Sequence, residues 1–140
     1  MKYVLLLLAI HLLPVKALAA IEPGQTEEVW AHHIEAWNAR DLEAISSGYG
    51  PDSILILNNA VFRGPDEIRE AFRQLFAIFD QGENEIDPLV LEGRVIYITW
   101  HFTPRGGTAV DGTDTFVVEK GKITVQTIAS RLYQRFPVRK

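Results

Sequence analysis

The sequence predicts an α+β domain in which helices come first and an antiparallel sheet last. Two observations carry this. Apolar residues recur with a helical period through residues 26–40, 41–48 and 64–82. From Ile86 onward they alternate instead, along stretches near 86–91, 94–103, 108–119 and 122–133, parted by the turn signals Glu92-Gly93, Pro104-Arg105-Gly106-Gly107 and Lys120-Gly121. Helices followed by a run of strands point to segregated layers rather than to an alternating parallel fold.

The elements follow in order. Thr26 is a candidate cap for the first helix, with Glu27 and Glu28 favourably placed in its first turn. Trp30, His33, Ile34 and Trp37 fall at i, i+3, i+4 and i+7 and form one expected buried stripe, while His32 points about 100° away. Asp41 caps a shorter helix that turns Leu42 and Ile45 inward and stops at Gly48. Residues 53–57 read as a strand, Asn58-Asn59 as a turn, and Val61-Phe62-Arg63 as a short returning strand. The third helix starts at Pro65 or Asp66, carries Ile68, Phe72, Leu75, Phe76 and Phe79 on one face, and is expected to close at Gly82.

Alternation then sorts the sheet into two faces. Ile96, Ile98, Trp100 and Phe102 share one side of a strand, and Tyr97, Thr99 and His101 share the other. Asp114 lies on the same side as Phe116 and Val118, opposite Thr113, Thr115 and Val117. A sheet wet on one face alternates more sharply than this. The outer face is therefore expected to be covered, most simply by a second copy of the chain, although threonine also has a plain preference for strands.

The first 20 residues, MKYVLLLLAIHLLPVKALAA, have the form of a secretory signal: a basic start, an apolar stretch over residues 4–15, and small residues at alternate positions before a cut. That stretch is shorter than the roughly 20 residues a membrane span needs. Residues 1–19 are expected to be removed, leaving one domain over residues 20–140 in the periplasm or outside the cell. Lys2 and Lys16 are the only Lys or Arg lost, so the chain's 14 fall to 12 against 18 Asp and Glu, a net charge of −6. With no basic stripe, nucleic-acid binding is not expected. The chain has no cysteine, so its stability rests on packing rather than disulfides.

Several catalytic patterns are missing. His32-His33 is not a metal pair, because adjacent helical residues diverge, and no His-Glu-x-x-His motif occurs. There is no Gly-x-Ser-x-Gly elbow. Gly106-Gly107 lies in a hairpin loop rather than between a strand and a helix, so it is a turn and not a phosphate cradle. No metal or organic cofactor is expected.

Four spaced stretches carry a resemblance: Trp37-Asn38-Ala39-Arg40-Asp41-Leu42, Pro51-Asp52-Ser53-Ile54-Leu55, Arg63-Gly64-Pro65-Asp66-Glu67-Ile68, and residues 112–118 followed by Gly121-Lys122-Ile123. In this order they resemble the SnoaL-like branch of the nuclear transport factor two-like superfamily, which includes the ketosteroid isomerases. The resemblance spans the whole chain after the signal. It implies a cone: a bent antiparallel sheet wrapped around three helices, with a mostly apolar cavity at one end and dimers through the outer sheet face. It says less about activity, since one fold hosts many functions.

Matching the isomerases residue by residue puts Leu57 where their general base stands, and leucine cannot take a proton. Their second acid is kept protonated to donate a hydrogen bond, a behaviour known in that family; it matches Asp114. Their oxyanion tyrosine matches His33. On this reading His33 and Asp114 line the cavity as a possible hydrogen-bonded acid–base pair, or equally as two core polar groups satisfying each other. Gln126 is a candidate for orienting a carbonyl, and Trp30, Trp37, Tyr49, Phe62, Phe76, Trp100 and Phe116 are candidates for the apolar wall. Three functions stay open: an exported binder of a small apolar molecule, an isomerase, lyase or cyclase using His33 and Asp114, and a non-catalytic dimerisation module.

Overall fold

The computed structural model describes residues 24–140, so the expected signal segment lies outside the described residues. Helix α1 spans Gln25–Ala39, α2 Leu42–Ser47 and α3 Gly64–Phe79; strands β1 Tyr49–Leu57 and β2 Ala60–Arg63 lie between α2 and α3. Strands β3 Gly82–Ile86, β4 Val90–Glu92, β5 Val95–Pro104, β6 Val110–Glu119 and β7 Lys122–Ser130 follow, and a short α4, Leu132–Arg135, comes last. Among the described residues no helix is long and apolar enough to cross a membrane.

The helix ends show which local signals decided them. Asp41 caps α2 as expected: its Oδ1 accepts from the amides of Glu43 at 3.0 Å and Ala44 at 2.9 Å. Thr26 does not cap α1. It lies inside the helix, whose flanking residue is a left-handed Gly24, and its hydroxyl donates to the Gly93 carbonyl at 2.9 Å. The cap is traded for a tie between the helix start and the β4–β5 turn. The stripe of α1 shifts accordingly. Thr26, Val29, His33 and Ala36 are buried, and Trp30, Ile34 and Trp37 are half-buried beside them. Helix α3 ends at Phe79, before Gly82, which opens β3 instead. A Cβ at Gly82 would stand 2.2 Å from the Thr103 carbonyl, so close pairing with β5 is what requires the glycine.

The strands form one curved seven-stranded sheet in the order β2-β1-β7-β6-β5-β3, with β4 pairing β5 separately. Neighbours are antiparallel except β1 and β7, which run parallel. A parallel pair needs a long crossover, and everything from β2 through β6 supplies it, α3 included. Register shifts interrupt β1 between Tyr49 and Ile54 and β6 between Val117 and Val118, and such irregularities bend a strand. The long stretch expected to run to residue 133 stops at Ser130, where α4 takes over and buries Leu132 and Tyr133.

The core lies between the helices and the inner sheet face. On β5, Ile96, Ile98, Trp100 and Phe102 are buried; on β6, Gly112, Asp114, Phe116 and Val118 are. The face expected to contain Asp114 is thus the inner one. Gly112 pairs with Trp100, and a Cβ built there would meet the indole at 2.0 Å. The missing side chain is what lets the Trp100 ring lie across β6. We expect Gly112→Ala to displace that ring at a cost of about 1–3 kcal/mol, read as a lower denaturation midpoint with a shifted tryptophan emission; an unchanged midpoint would contradict this packing.

Candidate functional site

The inner face carries polar groups where a core is normally apolar. Asp114 on β6 is buried, and its two oxygens are taken by neighbours on both sides. Trp100 Nε1 on β5 donates to Oδ1 at 2.8 Å, and Gln126 Nε2 on β7 donates to Oδ2 at 2.8 Å. Gln126 Oε1 in turn accepts from the Tyr49 hydroxyl on β1 at 2.5 Å. Registers explain the reach: Asp114 faces Ile98 and Ile128, while Trp100 and Gln126 sit two residues away along their strands, so both contacts are diagonal.

His33 is also buried, but no hydrogen bond joins it to Asp114, and its Nδ1 has no hydrogen-bond partner. Its surroundings are aromatic. The ring lies edge-on to Phe116 at 4.9 Å and Phe72 at 5.8 Å, and is stacked on Trp30 at 6.0 Å. The hydrogen bond that would make His33 and Asp114 a pair is not there: Trp100 and Gln126 reach the carboxylate from adjacent strands while α1 holds the imidazole among aromatic rings.

Both groups nevertheless border the same cavity. Its volume is about 40 Å³, and its lining includes Trp30, His33, Trp37, Trp100, Asp114, Phe116 and Gln126. Tyr49, Phe62 and Phe76 are not part of it. Tyr49 stands behind Gln126, Phe62 is fully buried on β2, and Phe76 packs edge-on to Trp37 at 5.4 Å. Gln126 has its amide engaged at both ends, so it positions Asp114 rather than presenting itself as a free carbonyl ligand. Sequence reasoning missed Asn84 on β3 and Tyr133 on α4, which complete the polar lining. No periodic signal marks either: Asn84 lies between the expected helix end at Gly82 and the expected strand start at Ile86, and Tyr133 follows a strand end placed three residues late.

Electrostatics separate the two titrating groups. Burial, partly opposed by the Trp100 and Gln126 hydrogen bonds, raises Asp114 from 3.8 to about 6. Burial, followed by the nearby His32 charge, lowers His33 to about 3. Tyr49 and Tyr133 are held well above 10 by burial and then by the Asp114 charge. Near neutral pH the cavity thus contains a neutral, weakly basic imidazole and, on the opposite element, a carboxyl group whose pKa is near that of a working acid or base.

These shifts oppose each other in stability. Asp114 is protonated more readily in the folded chain, so its contribution is greatest below about pH 4 and is lost as pH rises through 6. His33 stays neutral when folded, so its contribution is present above about 6.5 and is lost as pH falls towards 3. Between pH 4 and 6 the two slopes largely cancel. We expect a nearly flat denaturation midpoint there for the native chain. In Asp114→Asn, stability should fall with acidification at roughly 1 kcal/mol per pH unit, since the histidine slope is no longer opposed; parallel curves would contradict it.

Comparison with known proteins places this arrangement. Residues 30–126 match the model of the SnoaL-like domain. Among solved structures, a candidate SnoaL-like polyketide cyclase from Jannaschia sp. CCS1 is 17% identical, with a TM-score of 0.68 covering 84% of this chain and 94% of that one. A protein of the nuclear transport factor two-like fold and unknown function from Cytophaga hutchinsonii is 14% identical, with a TM-score of 0.64 over 79% and 94% of the two chains. A de novo designed protein with a curved β-sheet gives 0.68 at 17% identity, over 81% and 92%. These likenesses establish the fold alone, and comparison with curated proteins finds no match. The matched family model covers well over half the chain, which therefore belongs to the SnoaL-like domain family.

Proposed function

We propose that the chain is an exported protein that binds a small, largely apolar molecule between α1 and the inner sheet face. One observation supports this most: an aromatic cavity contains a poised carboxyl and a buried imidazole nitrogen without a partner, at Asp114 and His33. Buried polar atoms are normally paired, so an unpaired one bordering a cavity is a place for a ligand group. The cavity's 40 Å³ holds only a small molecule or the end of a larger one, below the ~300–1,000 Å³ of a drug-sized site. A larger ligand would have to swing aside the half-buried Trp30 and Trp37.

A second reading, acid–base catalysis by an isomerase, lyase or cyclase, is favoured by the opposite shifts of His33 and Asp114. The two are separated by native mass spectrometry of protein expressed with its leader and purified gently, followed by incubation of any retained compound with the protein. A defined extra mass that is released unchanged supports binding. Conversion of that compound, lost in His33→Ala and in Asp114→Asn with the fold intact, supports catalysis instead. A chain that carries no mass and quenches no tryptophan emission with small apolar probes would overturn both and leave a dimerisation module.

We also propose a homodimer through the outer sheet face. Val95 and Tyr97 on β5 and Val90 on β4 are large apolar side chains exposed there, and Tyr97 is 39% exposed. The half-buried Thr113, Thr115, Val117, Val125 and Thr127 extend the patch across β6 and β7. Tyr97→Glu should shift sedimentation from dimer to monomer, whereas a wild type that sediments as a monomer at micromolar concentration would overturn the dimer.

A further inference from the structure

The cavity continues past Trp37 and Asn84 into an open cleft between the end of α1 and β3, and the two share Ile34, Trp37, Phe79, Asn84 and Ile86. This cleft also contains Arg40, the sole Arg or Lys among the residues bordering either space. Neither α1 nor β3 contains another.

The Arg40 side chain is held in place on several sides. Its backbone ends α1 in a left-handed conformation, with φ at 55°. Nε donates to Asp80 Oδ1 at 2.9 Å and Nη1 to the Trp37 carbonyl at 2.7 Å. The guanidinium lies 4.7 Å from the Trp37 ring centre and 5.3 Å from that of Phe76. A guanidinium has five N–H donors, and these two contacts leave three. Asn84, which borders the same cleft, has an Oδ1 that is buried and accepts no hydrogen bond. A fixed planar cation stacked on the aromatic residue that separates cleft from cavity matches the geometry of a carboxylate. The unfilled Asn84 oxygen suits a hydroxyl or N–H donor. Asp80 neutralises part of the charge, but Arg105 donates from Nη2 to the Asp80 carbonyl and brings a second cation to that residue.

We propose that the Arg40–Asn84 cleft is the subsite for the carboxylate of an amphipathic ligand whose apolar part occupies the aromatic cavity. This rests on the ligand-binding reading above and narrows it to small apolar acids, preferably with a donor group near the carboxylate. The three remaining Arg40 donors take the carboxylate oxygens, and Trp37 is covered on one face by the cation and on the other side by the ligand's apolar end.

The test uses hexanoic acid, methyl hexanoate and 1-hexanol at neutral pH, titrated against tryptophan emission, since Trp30 and Trp37 border the site. Hexanoate is expected to bind about tenfold more tightly than either neutral compound, the scale of a charge-assisted hydrogen bond. In Arg40→Gln the acid-to-ester preference should collapse to about one, and in Arg40→Lys part of it should survive; thermal melts of both variants report that the fold is kept. Equal binding of acid and ester by the native chain, or a preference untouched in Arg40→Gln, overturns the carboxylate subsite and leaves the cavity reading standing. No binding of any of the three compounds overturns both.

Discussion

One buried carboxylate organises the inner face. Trp100, Asp114, Gln126 and Tyr49 stand on β5, β6, β7 and β1, four successive strands of the sheet, and are joined by three hydrogen bonds. Removing water from a carboxyl group is costly unless donors replace it, and here donors from both flanking strands do so. The backbone ladder would tolerate other side chains at each position. The side-chain chain would not, because the two links to Asp114 are diagonal contacts that work only in this register and the Tyr49 link depends on the register shift in β1. It ties the parallel β1–β7 pair, the least local pairing in the sheet, to the antiparallel meander.

The same constraint shapes the cavity. Asp114 needs the Trp100 indole, the indole needs the empty space above Gly112, and a ring laid across β6 leaves room between itself and α1. Helix α1 then presents His33 and the half-buried Trp30, Ile34 and Trp37 to that room. A site of this kind combines a rigid polar floor, built on strands, with an aromatic rim on a helix. The floor sets protonation through burial. The rim sets what enters. Functional groups held on regular elements are positioned more precisely than groups on loops, which suits a cavity whose free volume is small.

Much of the fold was legible because it is encoded locally. Helical periodicity in α3, the Asp41 cap and the alternation that puts Asp114 with Phe116 are properties of neighbouring residues, and the structure agrees with each. Errors came where a distant partner outbid a local preference. Thr26 forgoes its cap for the Gly93 carbonyl, and Gly82 serves strand pairing rather than helix termination. His33 and Asp114 were each correctly placed on inward faces. Whether the two would meet stayed open, since inward direction does not say which buried group a carboxylate will meet.

Periodicity and turn chemistry act within a few residues, and they were enough for the α+β class, the helices-before-sheet order, the inner face of the sheet and the buried position of both titrating residues; they merged β3 and β4 into one stretch at 86–91 and carried no sign of α4. Tertiary structure alone decided that Trp100 and Gln126 hold Asp114, that Tyr133 and Asn84 complete the lining, and that Phe62 and Phe76 stay in the core. Those outcomes depend on strand order, diagonal registers and the lean of one indole over a glycine. Each is set by residues a dozen or more positions apart, where no local pattern can carry the information.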